Sequence, residues 1–137
     1  MTAIITRHQP FSDSTDSLLR FAMRLDATVT GVLGLAIAAT ADPLARLTGL
    51  TAAQGYILGA AFVLGGLVVY TLAATPDLRR VGIAVAMFNA AGTIGLLAVT
   101  VAGVLPLTAF GVGAALATGL YAATFAVLQY LGVRRLA

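Results

Sequence analysis

The sequence contains no cysteine, tryptophan, lysine or glutamate, and its one histidine is His8. The lack of cysteine excludes disulfides, thiolate metal ligands and cysteine nucleophiles. One histidine cannot build a histidine zinc site or a two-histidine haem site within a single chain. The nucleophile-elbow, P-loop, GxGxxG dinucleotide and HExxH motifs are missing as well. We therefore expect no metal, no cofactor and no catalytic residues.

Charged residues are scarce, at 9% of the 137 residues against roughly 25% in a soluble domain. Hydrophobic residues make up 60%, and the mean hydropathy is +1.00. Charges are missing from three long segments, which cover 27–41, 47–76 and 81–133. A soluble fold of this length could not bury so much apolar surface, so we expect the excess to face lipid. The net charge of +3 comes from arginines beside apolar segments, which indicates membrane topology and not nucleic-acid binding.

The apolar segments predict an all-α membrane protein, an antiparallel bundle of four transmembrane helices. The predicted helices cover about 17–40, 52–74, 77–103 and 107–131, within one domain over 17–133. Barrel strands would alternate polar and apolar residues, which these segments do not, and short loops favour antiparallel neighbours. Residues 1–16 are predicted to be a flexible cytoplasmic tail, and 134–137 a basic cytoplasmic end.

A short helix at the membrane interface is predicted between the first and second spans. Asp42 is suited to cap this helix and Gly49 to end it, with Arg46 facing outward and the leucines inward. The second span opens with a capping-box pattern from Thr51 to Gln54.

The arginines predict the orientation of the chain. Only Arg46 falls on one side of the predicted membrane, so the positive-inside rule places both termini on the other side, in the cytoplasm of a bacterial cell with its inner membrane. Seven arginines fall on the cytoplasmic face: Arg7, Arg20, Arg24, Arg79, Arg80, Arg134 and Arg135. We expect Arg20 and Arg24 to extend towards the lipid headgroups.

Small residues predict close packing between helices. Gly55, Gly59 and Gly66 share one stripe of the second span, and Gly111 and Ala115 share one of the fourth. Two interpretations of the second-span stripe stay open, namely packing inside the bundle and a homodimer seam. The expected partners are membrane lipids, with a second copy of the chain or another membrane protein left open.

Polar residues line one face of the third span, where Asn89, Thr93 and Thr100 point within about 40° of one another around the helix axis. Asn89 is about 12 Å into the membrane at 1.5 Å per residue. An unpaired amide facing lipid is costly, so Asn89 is expected to face protein or a cavity. On the fourth span, Tyr121 is expected to pack in the core, and Gln129 to be solvated near the cytoplasmic end.

Asp26 is the only acid next to a long apolar run, and it shares a helix face with Thr30. It is either an interfacial acid, solvated or bonded to Arg79 or Arg80, or a proton- or cation-binding carboxylate at the mouth of a polar seam. We hypothesise that it approaches the third span near Asn89. The candidate ligand-binding residues are Asp26, Thr30, Asn89, Thr93 and Thr100.

Three features resemble small bacterial four-helix integral membrane proteins of largely unassigned function: the Arg-x-Asp-Ala opening at Arg24–Ala27, the turn at Ala41–Leu50, and Asn89. The resemblance covers about residues 18–131 and implies a topology but no activity. The use of Ala, Gly and Arg without Lys is similar to that of actinobacterial proteins. The small multidrug-resistance transporters also have four helices, but they are marked by a glutamate in the first span, for which Asp26 is the only substitute here.

Two functions therefore remain open. The first is a non-enzymatic interaction, accessory or lipid-contacting module, which predicts a tightly closed bundle that tolerates Asp26→Asn. The second is a minimal small-molecule carrier or binder with a polar seam between the first and third spans. It predicts a water-accessible pocket open to one side and a large loss when Asp26 is replaced.

Overall fold

The computed structural model describes residues 15–136, and within them it contains helices and no strands. Four helices are long and apolar enough to cross a membrane, and a short helix lies between the first two of them. Arg7, His8 and the predicted tail up to residue 14 lie outside the described residues. The five helices are α1 (Ser17–Ala39), α2 (Ala41–Thr48), α3 (Ala52–Leu72), α4 (Leu78–Ala102) and α5 (Ala109–Arg135).

The last helix continues beyond the predicted end at Leu131 and includes Arg134 and Arg135 in its final turn. Positive side chains interact favourably with the carbonyl end of a helix, so this pair stabilises the turn it occupies. The arginine pair is therefore part of α5.

Local sequence signals determine where α2 ends and where α3 begins. The backbone N–H of Gln54 donates to Thr51 Oγ1 at 3.1 Å, and the Thr51 N–H donates to Gln54 Oε1 at 2.8 Å, which confirms the capping box. Gly49 ends α2 with a φ of 84°, in the left-handed region that favours glycine.

One expectation for α2 is wrong. Asp42 lies in the first turn and does not cap the helix, because Thr40 ends α1 and also begins α2. The Thr40 N–H donates to the Ala36 carbonyl at 3.1 Å, and the Thr40 carbonyl accepts from the Leu44 N–H at 2.9 Å. Of the leucines of α2, Leu44 is half-buried and Leu47 is 52% exposed.

The beginning of α5 is anchored on the end of α2. The Thr108 N–H donates to the Thr48 carbonyl at 3.0 Å, and the Thr108 hydroxyl donates to the Leu47 carbonyl. The same hydroxyl caps α5 by accepting from the Gly111 N–H at 3.0 Å. The short helix is thus fixed to the last long helix of the chain.

The four long helices are arranged as two pairs. Helix α3 packs mainly along α1, α4 packs mainly along α5, and the pairs meet where α1 lies against α5. The contacts join residues in reverse order along the paired helices, with Gly66 beside Ala27 and Gly59 beside Gly34. Although α3 and α4 are consecutive, they make few contacts with each other.

The glycines of α3 allow close approach to α1. A Cβ at Gly59 would lie 2.6 Å from the Gly34 carbonyl oxygen, and one at Gly66 would lie 2.6 Å from the Ala27 carbonyl oxygen. Helix α1 of the same chain therefore covers this part of the stripe, which agrees with packing inside the bundle. Of the other predicted packing residues, Gly55 lies against Ala41, Gly111 lies against Thr48, and Ala115 is half-buried.

The apolar core lies at the end of the bundle that carries most of the arginines. Its fully buried members include Leu19, Met23 and Ala73. Arg20 is held at this end by hydrogen bonds: its Nε donates to Asp16 Oδ2 at 2.8 Å and its Nη1 to the Ala73 carbonyl at 2.7 Å. Arg20 therefore ties the start of α1 to the end of α3.

Candidate functional site

A cluster of polar side chains joins three of the long helices. Asp26 and Thr30 lie one turn apart on α1, Asn89 comes from α4, and Tyr121 and Gln129 lie two turns apart on α5. We refer to these five residues as the Asp26 cluster. Asp26 is only 5% exposed and Gln129 is completely buried.

The Asp26 carboxylate accepts two hydrogen bonds on each oxygen. Its Oδ2 accepts from Asn89 Nδ2 at 2.7 Å and from Gln129 Nε2 at 2.8 Å. Its Oδ1 accepts from the Tyr121 hydroxyl at 3.0 Å and from the Thr30 hydroxyl at 3.2 Å. Asn89 Nδ2 also donates to Gln129 Oε1 at 3.0 Å, which closes the network between α4 and α5.

The four side chains that donate hydrogen bonds to the Asp26 carboxylate are all neutral. A buried carboxylate is costly unless it is paired or well hydrogen-bonded, and bonds to an ionised acceptor are about twice as strong as neutral ones. Within residues 15–136 no basic side chain pairs with Asp26; the ion pairs there are Arg20 with Asp16 and Arg80 with Asp77. The interpretation of Asp26 as an acid solvated at the interface or bonded to Arg79 or Arg80 is therefore wrong.

Two members of the Asp26 cluster, Gln129 and Tyr121, have contacts that differ from those predicted from the sequence. Gln129 is not solvated, because it is enclosed between α1 and α4 and bonded to both. Tyr121 does pack its ring in the core, with its centroid 4.8 Å from that of Phe125, but its hydroxyl reaches Asp26. The spacing of Tyr121, Phe125 and Gln129, four residues apart each time, is the signal that places all three on one face.

The structure brings together only part of the candidate ligand-binding set. Asp26, Thr30 and Asn89 meet, and the hypothesised approach of Asp26 to Asn89 is observed. Thr93 lies beside the cluster and donates to the carbonyls of Asn89 at 3.0 Å and Gly119 at 3.2 Å. Thr100 is apart from it, about 16 Å further along α4 at 1.5 Å per residue, and donates to the Leu96 carbonyl at 2.7 Å.

The arrangement joins three helices through polar side chains that bond to one another. Every buried polar side-chain atom within the described part of the chain has a hydrogen-bond partner. Over residues 15–136, no three acidic or histidine side chains lie close enough together to hold a metal ion. Two surface grooves lie away from the cluster, one beside Arg79 and Arg134 and the other beside Arg20 and Arg24.

Four long apolar helices, three of them joined by a buried polar cluster, indicate a helical bundle of the membrane-protein class. No protein-family model, curated protein or solved structure matches this chain. Its function must therefore be argued from its own geometry.

Proposed function

We propose that this protein is a non-enzymatic integral membrane protein that acts as an interaction or accessory module through its outer surface. The partners in this proposal are membrane lipids and either another membrane protein or a second copy of the chain. The Asp26 cluster then serves to hold the bundle in one arrangement. This role needs no bound substrate and no cofactor.

The observation that carries the proposal is the saturation of Asp26. All four donors to its carboxylate are side chains of the same chain, and Asp26 and Gln129 are buried. A carboxylate that binds a transported cation or proton needs a vacant position or a path to water, whereas this one is enclosed. A closed network of this kind specifies which helices pack together.

We further propose an antiparallel four-helix arrangement in a bacterial cytoplasmic membrane, with both termini in the cytoplasm and α2 at the opposite interface. The reversed order of contacts between α1 and α3 supports the antiparallel arrangement. The arginines support the orientation, because among residues 15–136 Arg46 on α2 is the only one at the end opposite Arg20, Arg79 and Arg134.

The alternative function is a minimal carrier or binder, and one observation favours it. Asp26 has no basic partner within the described residues, so a cationic ligand would find an uncompensated carboxylate between α1 and α4 if the helices separated. This function requires a second, open arrangement in which water reaches the cluster.

Because the chain has no cysteine, single introduced cysteines test both proposals in cells. Thr30→Cys reports water access to the cluster. Ala74→Cys in the α3–α4 turn and Val104→Cys in the α4–α5 turn are controls at exposed positions on the two ends. Labelling with a membrane-impermeant maleimide is compared before and after permeabilisation, and with a small permeant maleimide.

We expect Val104→Cys to label in intact cells, Ala74→Cys to label only after permeabilisation, and Thr30→Cys to stay unlabelled throughout. Rapid labelling of Thr30→Cys from one side would contradict the closed module and favour the carrier. Labelling of both turns from the same side would contradict the antiparallel topology.

A further inference from the structure

A groove of 590 Å³ runs between α4 and α5 on the outside of the bundle, separate from the Asp26 cluster. Arg79 of α4 and Arg134 of α5 lie at one end of the groove, and both side chains are exposed. Ile83 and Met87 line it further along α4, and Tyr130 lines it from α5. The groove therefore combines a positively charged end with an apolar floor.

The two arginines of the groove are uncompensated. Within the part of the chain that the structure describes, neither Arg79 nor Arg134 forms an ion pair, whereas the neighbouring Arg80 lies 3.5 Å from Asp77. Arg79 also occupies the first turn of α4, where the helix dipole disfavours a positive side chain. Helix stability therefore does not explain the arginine at position 79.

The floor of the groove suits hydrocarbon. Ile83 is 40% exposed and Met87 is 67% exposed, and no charged side chain follows Arg80 along α4. From Arg79 to Met87 the groove extends about 12 Å along the helix axis, at 1.5 Å per residue. Tyr130 is 56% exposed beside it, and tyrosine is favoured at the level of lipid headgroups.

We propose that this groove binds one anionic glycerophospholipid. Its phosphate lies between the guanidinium groups of Arg79 and Arg134, and the first part of one acyl chain lies along Ile83 and Met87. Guanidinium groups match phosphate oxygens in a bidentate geometry, and basic pockets between transmembrane helices bind anionic headgroups. The proposal rests on the membrane location proposed above but not on the closure of the Asp26 cluster.

Two double variants with equal charge test the site. Arg79→Ala with Arg134→Ala removes the groove arginines, and Arg80→Ala with Arg135→Ala removes the same number of charges from the adjacent positions. Native mass spectrometry of each detergent-solubilised protein, titrated with phosphatidylglycerol or phosphatidylcholine, measures the lipid bound. Circular dichroism melting in the same detergent checks that both variants fold.

We expect wild type to retain one phosphatidylglycerol in preference to phosphatidylcholine. The groove variant should bind it about tenfold more weakly, as expected for the loss of charge-assisted hydrogen bonds, and the control variant within about twofold of wild type. Equal losses in the two variants, or no preference of wild type for phosphatidylglycerol, would overturn the proposal. Displacement of the lipid by millimolar inorganic phosphate would show a phosphate site and not a lipid site.

A groove variant that did not fold would leave two decisive measurements on wild type, the headgroup preference and the phosphate competition. Neither depends on whether Thr30→Cys is accessible to maleimide. A failure of the lipid proposal is therefore distinguishable from a failure of the closed-module proposal.

Discussion

At the scale of single residues, the hydrogen-bond requirements of the Asp26 cluster differ between its two sides. On the Oδ2 side, Asn89 and Gln129 present amide N–H groups that must donate. On the Oδ1 side, Thr30 and Tyr121 present hydroxyl groups, which can rotate to accept instead of donate. The Tyr121 hydroxyl also has the Asp26 backbone carbonyl as another acceptor, at 3.1 Å.

This asymmetry predicts that Asp26→Asn is tolerated and Asp26→Ala is not. An asparagine oxygen can accept from Asn89 and Gln129 while its NH₂ donates to the two hydroxyls, so the free energy of unfolding should change by less than about 1 kcal/mol. Alanine leaves the buried Gln129 amide without its acceptor and takes from Asn89 one of its two acceptors, so it should cost about 3 kcal/mol. Thermal and denaturant unfolding in detergent micelles measures both changes. An equal loss for the two variants would show that the charge of Asp26 is itself required.

The contact between Asp26 and Asn89 predicts coupling between their substitutions. The effects of Asp26→Ala and Asn89→Ala on unfolding should fall short of additivity by about 1 kcal/mol, within the range measured for residues in one network. Asp26→Ala combined with Thr100→Ala is the control and should be additive, since the Thr100 hydroxyl donates to the Leu96 carbonyl, outside the Asp26 cluster. Strictly additive effects for the first pair would count against the contact.

The sequence was sufficient to predict that Asp26 meets Asn89, because a carboxylate and an amide inside apolar helices each need a partner. It was not sufficient for Gln129. A glutamine five residues before Arg134 is compatible with solvation as well as with burial, and only the contact of α1 with α5 distinguishes the two. The continuation of α5 to Arg135 places Gln129 a turn and a half inside the helix end.

At the scale of helices, the contact between α1 and α3 depends on backbone approach at a few positions. Gly65 and Gly66 are adjacent but differ in what surrounds them. A Cβ at Gly66 would meet the Ala27 carbonyl oxygen at 2.6 Å, whereas a Cβ at Gly65 would meet nothing within 4 Å. This pair therefore separates the packing role of a glycine from its effect on helix propensity.

Gly66→Ala is expected to destabilise the protein by about 1–3 kcal/mol, because the helices must move apart. Gly65→Ala should be neutral or should stabilise it by up to about 1 kcal/mol, because alanine is the better helix former. Both are measured as shifts in thermal unfolding in the same detergent. If Gly66→Ala proved as mild as Gly65→Ala, the close packing of α3 on α1 would be wrong.

The long helices were predictable from the length and apolar character of their segments, and the capping box at Thr51 from a local motif. The end of α1 was less accessible to sequence reasoning. Thr40 both ends α1 and begins α2 through its own backbone groups, so Asp42 falls in the first turn of α2 and not at its N-cap. The hydrogen bond from Arg20 to the end of α3 was also not predicted, because its acceptor is the backbone carbonyl of Ala73, 53 residues away.

At the scale of the whole molecule, the buried apolar residues are concentrated at the end that Arg20 ties together. In the α3–α4 turn, Ala73 is fully buried and the Thr75 N–H donates to the Leu72 carbonyl at 3.1 Å. In the α4–α5 turn, Val104 is 66% exposed. The two ends should therefore differ in local stability.

Hydrogen exchange in lipid nanodiscs tests this difference, because both turns contact water in the proposed topology. The amides of Ala74 and Thr75 should exchange at least about tenfold more slowly than those of Val104 and Leu105. Arg20→Ala should reduce the protection of the α3–α4 turn. Arg24→Ala, which removes an exposed side chain, should leave that protection unchanged. Uniform exchange rates in the two turns would contradict the asymmetry of the core.

The distance along the chain between Asp26 and Gln129 has a consequence for biosynthesis. These hydrogen-bond partners are 103 residues apart, so α1 leaves the ribosome long before the last of the donors to its carboxylate exists. During that interval the nascent first helix carries an acid whose permanent partners have not been made. The helix must keep that acid near water or against the insertion machinery, and final assembly of the bundle waits until α5 has been synthesised.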